Sequence, residues 1–118
     1  MSRAADVEYV KATELFNELA DPVWGARALV SRALVAMDED CLDEAMTLCN
    51  SGRQTFAALS SKADECWSLV VQSRIYASMG SVEEAGGALS TARDIARELG
   101  REDNFVDQFL TDTGPDVR

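Results

Sequence analysis

Gly80-Ser81-Val82-Glu83-Glu84-Ala85 repeats the pattern of Asp40-Cys41-Leu42-Asp43-Glu44-Ala45, which lies 40 residues earlier in the chain. Both stretches place an apolar residue, two carboxylates and an alanine directly after a turn. The same offset relates apolar residues elsewhere: Leu29 and Leu69, Val30 and Val70, Val35 and Ile75, Phe16 and Phe56, and Leu19, Leu59 and Leu99. Repeats of about 40 residues are usually helix pairs that stack side by side. The repeat therefore predicts an antiparallel helix-hairpin solenoid.

Turn and cap residues divide the chain into helices. Asp21-Pro22 is a typical helix start, Gly80 and Gly100 are typical helix ends, and Ser81-x-x-Glu84 has the form of a capping box. The predicted helices are about 22–37, 40–59, 60–79 and 81–100, with flanking helices at about 2–20 and 103–111. Because no segment alternates with period two, we expect an all-α fold of about five helices plus a short C-terminal helix.

The chain is expected to form one domain over residues 1–112, with a disordered tail over 113–118. Small residues at Ala33, Ala45, Ser73 and Ala85 predict close contacts between helix backbones. Larger side chains are expected to fill the remaining space, namely Phe56, Tyr76, Leu89 and Leu99.

Composition excludes several classes of function. The 118 residues include 21 acidic and 11 basic residues, a net charge of -10 that argues against direct contact with nucleic acid. With no histidine, the chain lacks histidine-based acid/base catalysis and histidine-ligated metals. The serines and cysteines have no general base to activate them. We therefore expect no catalytic residues, no metal and no cofactor, and the protein is not expected to be an enzyme.

The cysteines and the apolar runs indicate where the protein is found. Cys41, Cys49 and Cys66 are an odd number without C-x-x-C spacing, which favours free thiols in a reducing cytoplasm. The longest apolar run, Ala33 to Met37, is far shorter than the roughly 20 residues of a membrane span. The acidic start of the chain does not resemble a secretory signal. A cytoplasmic protein without membrane contact is expected.

The repeat resembles the tetratricopeptide family, whose pattern combines large, small and aromatic residues with a glycine that ends the first helix. The better copy consists of Leu69, Ser73, Tyr76, Gly80, Ala85, Leu89 and Ala92. The weaker copy consists of Leu29, Ala33, Ala36, Asp40, Ala45, Cys49 and Gly52. The family usually has leucine where this chain has Arg32 and Gln72. The resemblance covers about residues 2–110.

The 40-residue period exceeds the usual 34 of the family. Residues 15–29 and 92–100 look like a long-repeat subtype that is common in bacterial transcriptional regulators and signalling ATPases. The chain has neither a phosphate-binding Gly-x-x-x-x-Gly-Lys loop nor a basic recognition helix. It is therefore either a free-standing repeat protein or a piece of such a regulator. Its start on a second helix favours the piece.

In this family one face of each first helix lines the concave surface, and that resemblance implies a binding groove for a protein or peptide. The corresponding residues are Arg27, Val30, Ser31, Leu34, Trp67, Val70, Val71 and Arg74. An apolar floor with two guanidinium groups suits a short peptide or helix that carries a carboxylate.

Three alternatives remain open for these residues. The terminal helices could cover this face, which would make Trp67 and Val71 simply core. A second copy could bury it in a homodimer, with Trp24 at the interface. The groove could instead hold a small-molecule or peptide signal.

The acidic runs Asp38-Glu39-Asp40, Asp43-Glu44 and Glu83-Glu84 have a structural explanation at helix N-termini, where carboxylates interact favourably with the helix dipole. Calcium and a basic partner are the functional alternatives. Calcium is disfavoured because the spacing and the glycine of an EF-hand are absent.

Overall fold

A computed structural model describes residues 10–11, 21–101 and 106–107. The elements in this part of the chain are helices, and no strand occurs among the described residues. They are α1 (Pro22–Asp38), α2 (Leu42–Ala58), α3 (Lys62–Ser78) and α4 (Val82–Glu98). The predicted all-α class and the four internal helices are confirmed to within about two residues. The flanking helices at 2–20 and 103–111 and the tail at 113–118 lie outside the described residues, except for helical backbone at 10–11 and 106–107.

Every described helix is followed by the same three-residue connection. A C-cap residue leads to a residue with left-handed backbone, and after α1, α2 and α3 the third residue directly precedes the next helix. The left-handed residues are Asp40 (φ 64°), Ser60 (φ 55°), Gly80 (φ 83°) and Gly100 (φ 71°). The next amide then donates back into the preceding helix, as from Cys41 to the Ala36 carbonyl at 2.9 Å. Each helix has 17 residues, so the backbone repeats every 20 residues and the side-chain pattern every 40.

The structure corrects three predicted helix starts. Asp40 does not cap α2, because it holds the left-handed position one residue before the N-cap Cys41. Ser61 and Ser81 are N-caps without a side-chain capping bond, so the predicted capping box does not form. The Ser61 hydroxyl instead donates to Asp64 Oδ2 at 2.8 Å. Asp21 does cap α1, since its carboxylate accepts from the Trp24 amide at 3.4 Å.

The residues with left-handed backbone lead to a prediction about the stability of the folded protein. Asp40→Gly and Ser60→Gly are each expected to raise the free energy of unfolding by about 0.5–1 kcal/mol, because glycine adopts positive φ without steric cost. Gly80→Ala is expected to lower it by a similar amount, since a β-carbon there would meet no atom within 4 Å and only the backbone is strained. Urea denaturation of the three variants measures these changes. Destabilisation by both glycine substitutions would contradict the prediction.

Consecutive helices pack antiparallel. Gly52, late in α2, lies against Ala26 and Val30, early in α1. Cys66, early in α3, donates to the Ala92 carbonyl late in α4 at 3.3 Å. Helices α1 and α2 thus form one hairpin and α3 and α4 a second, and the second packs on the first through contacts of α3 with α2 and α1.

Helix α3 belongs to two hydrophobic cores, which explains why it is buried on most sides. The first core joins α1, α2 and α3 and contains Ala26, Val30, Ala33, Ala36, Ala45, Cys49, Phe56, Val71 and Ile75. The second core joins α3 and α4 and contains Cys66, Leu69, Val70, Ala88, Ala92, Ile95, Ala96 and Val106. Different faces of α3 therefore pack on different partners, and its apolar residues are not confined to one side of the helix.

The equivalent alanines differ in burial. Ala45 is fully buried, whereas Ala85 is half-buried, although both are the fourth residue of their helix. Helix α2 is covered by α1 and α3, while among the four helices α4 packs on α3 alone. Among the larger side chains, Phe56 is buried as expected, but the prediction for Leu99 is wrong because this residue is 38% exposed. The close helix contact predicted for Ala85 is therefore better represented by Ala45.

Candidate functional site

The residues predicted to bind a partner lie on two neighbouring helices that occupy equivalent places in their hairpins. Arg27, Val30, Ser31 and Leu34 are on α1, and Trp67, Val70, Val71 and Arg74 are on α3. Helix α1 contacts α3, so the structure brings the two groups together. Partner binding at these residues stays a prediction.

Three of the eight residues are inaccessible. Val30, Val70 and Val71 are 0% exposed, with Val30 and Val71 in the first core and Val70 in the second. These valines are core, whereas the terminal helices that were expected to cover this face lie outside the described residues. Arg27, Ser31, Leu34, Trp67 and Arg74 are half-buried. These five residues provide the surface that a ligand can reach, and we call them the α1/α3 face.

Arg27 is held by a carboxylate of its own chain. Its Nε donates to Asp64 Oδ1 and its Nη2 to Asp64 Oδ2, both at 2.9 Å. The hydrogen bond to Asp64 raises the pKa of the Arg27 guanidinium against the opposing effect of burial. The guanidinium carbon also lies 4.5 Å from the centre of the Trp24 ring. The predicted use of Arg27 to bind a partner's carboxylate is therefore opposed by an internal carboxylate already in that place.

Asp64 itself is fixed from two sides. Ser61 Oγ donates to Asp64 Oδ2 at 2.8 Å, so this oxygen accepts bonds from both Ser61 and Arg27. The network joins the start of α3 to α1 and sets the spacing of the two helices at this end. Sequence reasoning missed Asp64. The available signal was that Asp64 occupies the position equivalent to Trp24, opposite Arg27 on the facing helix.

Leu34 and Trp67 give the α1/α3 face its apolar part. Both side chains are half-buried and pack against the first core, so each presents only part of its surface to solvent. Behind them the buried Gln72 donates through Nε2 to Asn50 Oδ1 at 2.6 Å, which joins α3 to α2. This bond gives a physical reason for a glutamine at a buried position, because its amide is paired inside the molecule.

The buried thiols are not poised for chemistry. Loss of hydration raises the pKa of Cys49 to about 12 and that of Cys66 to about 11, so both stay protonated at neutral pH. Each thiol donates to a carbonyl of the neighbouring helix at 3.3 Å, Cys49 to Ser68 and Cys66 to Ala92. Among the described residues, no group of three or more acidic or cysteine side chains could hold a metal ion. These thiols act as packing groups between helices.

The raised thiol pKa values predict a dependence of stability on pH. The unfolded chain releases the Cys49 proton near pH 9.0, whereas the folded protein keeps it until about 12. The stabilisation is therefore complete below pH 9.0 and is lost as the pH rises towards 12, by at most about 1.4 kcal/mol per pH unit for one thiol. Urea denaturation at several pH values above 9.0 should show a flatter slope for Cys49→Ala than for the wild-type protein. The exposed Cys41→Ala is the control, and equal slopes for all three proteins would contradict the prediction.

The α1/α3 face combines one indole, one aliphatic side chain, one hydroxyl and two guanidinium groups, of which that of Arg27 is already paired with Asp64. No helix among the described residues has the length and apolar character needed to cross a membrane. Comparison of the chain with protein-family models, with curated proteins and with solved structures finds no match.

Proposed function

We propose that the chain is a protein-interaction module of the tetratricopeptide type and that it binds a peptide or helix on the α1/α3 face. The observation that carries this proposal is the contact between α1 and α3, helices that are equivalent at an interval of 40 residues. A solenoid of stacked hairpins places such helices side by side along one surface. The uniform three-residue connections support the same arrangement.

The chemistry of the face indicates how a peptide binds. An apolar side chain of the partner packs against Trp67 and Leu34, while Ser31 and Arg74 offer polar contacts at the margin. Aromatic and arginine side chains contribute most of the binding energy in typical interfaces. Arg27 acts differently, because its bidentate bond to Asp64 makes it a support for the face.

The proposal includes a non-enzymatic role in the cytoplasm, as the sensor or interaction segment of a bacterial regulator. The absence of histidine from the sequence and the high pKa values of Cys49 and Cys66 support the non-enzymatic part. Three free cysteines fit a reducing compartment.

The test is selection from a random peptide library on the immobilised chain, followed by affinity measurement of the enriched peptides. Trp67→Ala should weaken binding by about tenfold or more, as expected when an aromatic anchor is lost, and Arg74→Glu should weaken it as well because the guanidinium group is replaced by a carboxylate. Arg97→Glu is the matched control, since it makes the same charge change on the exposed side of α4. Peptides that bind Trp67→Ala as tightly as the wild-type protein would place the site elsewhere.

Self-association is the second candidate function. Trp24, Leu59 and Leu99 are 49%, 44% and 38% exposed. The antiparallel packing places all three at one end of the hairpins, where Lys62 lies 3.9 Å from Glu98. A homodimer that covers this end would bury the Trp24 ring. Light scattering at two protein concentrations, with Trp24→Ala for comparison, decides whether such a dimer forms.

A further inference from the structure

The end of the hairpins opposite Trp24 contains the α1–α2 connection and the α3–α4 connection. Cys49 Sγ contacts the Ser68 carbonyl at 3.3 Å, and Gln72 Nε2 lies 3.8 Å from Met46 Sδ. These contacts fix the antiparallel register of α2 and α3. When this register is followed towards the start of α2, residues near 40 lie opposite residues near 78. The two connections therefore lie side by side, and we call residues 37–44 and 79–84 the acidic end.

The acidic end carries a concentration of negative charge. No lysine or arginine occurs in residues 33–52 or 75–92. No ion pair joins these carboxylates to a cation within the part of the chain that the structure describes. They are Asp38, Glu39, Asp40, Asp43, Glu44, Glu83 and Glu84, all exposed except the half-buried Glu39. By contrast, Asp64, Glu65, Asp94 and Glu98 towards the other end all pair with cations.

Helix stabilisation accounts for only some of this charge. Asp43, Glu44, Glu83 and Glu84 are in the first turns of α2 and α4, where the helix dipole favours carboxylates. The sequence interpretation that placed all the acidic runs at helix N-termini is wrong for residues 38–40. These three residues end α1, and a carboxylate at a helix C-terminus is disfavoured.

Apolar side chains accompany the carboxylates. Val82 is 75% exposed, the highest value among the exposed large apolar residues of the described chain. Met37 and Met79 are half-buried, and both pack against the first core. Methionine side chains adapt their shape to different apolar partners.

We infer that the acidic end is a docking surface for a basic amphipathic segment of another protein. Apolar side chains of the segment pack against Val82 and against the partly exposed Met79 and Met37, while its lysine or arginine residues meet the surrounding carboxylates. Charge complementarity selects this occupant and accelerates its approach, whereas the acidic end of a second copy would be repelled from this surface. The surface is distinct from the α1/α3 face and extends the proposed function to a second site.

The test uses isothermal titration calorimetry with a short amphipathic Leu/Lys peptide as the probe. The wild-type chain should bind this peptide and should not bind the same peptide with glutamate in place of lysine. Glu83→Gln combined with Glu84→Gln should weaken binding about fivefold, and Val82→Ser about threefold. Binding should also weaken as the salt concentration rises.

The matched control is Asp94→Asn combined with Glu98→Gln, which removes two charges from the same helix away from the acidic end. This control should change affinity less than about twofold. Equal weakening by both double variants, or no effect of Val82→Ser, would overturn the inference by showing a response to net charge alone. A dimer in sedimentation that Val82→Ser abolishes would also overturn it. Trp67→Ala should leave Leu/Lys binding unchanged, which separates this site from the one in the proposed function.

Discussion

Phe56→Ala is expected to lower the free energy of unfolding by about 3–5 kcal/mol, the usual cost of removing a buried phenylalanine ring. Phe56 is 0% exposed and is the largest of the fully buried side chains in the described chain. It lies in the first core, to which α1, α2 and α3 all contribute. Because domains of this size are typically stable by only about 5–15 kcal/mol, the variant should be close to unfolding at physiological temperature.

Urea denaturation followed by far-ultraviolet circular dichroism measures this loss. Leu59→Ala is the control, since it truncates a 44% exposed apolar residue directly after the same helix. Its cost should be clearly smaller, about 1–2 kcal/mol, because nearly half of this residue is already in contact with water. An equal loss of stability in both variants would contradict the conclusion that the Phe56 ring holds α1, α2 and α3 together.

The helices could be predicted from the sequence because their limits depend on local chemistry. Pro22 fits the first turn of a helix, and Gly80 and Gly100 supply left-handed backbone at helix ends. Asp40 and Ser60 hold the same left-handed position without being glycine. They therefore looked like parts of helix starts, and the regular spacing of all four connections was not recognised.

The candidate site was predicted less completely because burial depends on packing between distant segments. The 40-residue offset correctly placed Val30 and Val70 on equivalent faces of two helices. It could not show that both side chains are enclosed, since α3 packs on α1 and α2 with one side and on α4 with another. The pair of Arg27 with Asp64 spans 37 residues, which is the repeat interval less three residues, so it becomes visible only when Asp64 is recognised as the equivalent of Trp24.

Asp40 connects the stability of the fold with the inferred docking surface. Its positive φ and its place after the end of α1 both disfavour aspartate, whereas the equivalent positions 80 and 100 have glycine. Asp40→Gly should therefore stabilise the protein and at the same time weaken binding of the Leu/Lys peptide. Opposite effects of one substitution on stability and binding are expected where a residue serves recognition.

Gly52→Ala is expected to destabilise the protein by about 1–3 kcal/mol, although alanine is normally the better residue inside a helix. A β-carbon at residue 52 would lie 2.6 Å from Val30 Cγ2 and 3.0 Å from the Ala26 carbonyl oxygen. Val30 is fully buried and cannot turn away freely, and the carbonyl belongs to the backbone of α1. The two helices of the first hairpin would therefore have to move apart.

Gly86→Ala and Gly87→Ala provide the opposite result with the same chemical change. Both glycines lie in α4, and a β-carbon at either position would meet no atom within 4 Å. Each substitution should stabilise the protein by about 0.5–1 kcal/mol through helix propensity alone. The urea midpoints of the three variants thus distinguish the effect of close helix packing from that of helix propensity. If propensity alone acted, all three midpoints would shift in the same direction. Stabilisation by Gly52→Ala would mean that α1 and α2 do not approach as closely as the structure shows.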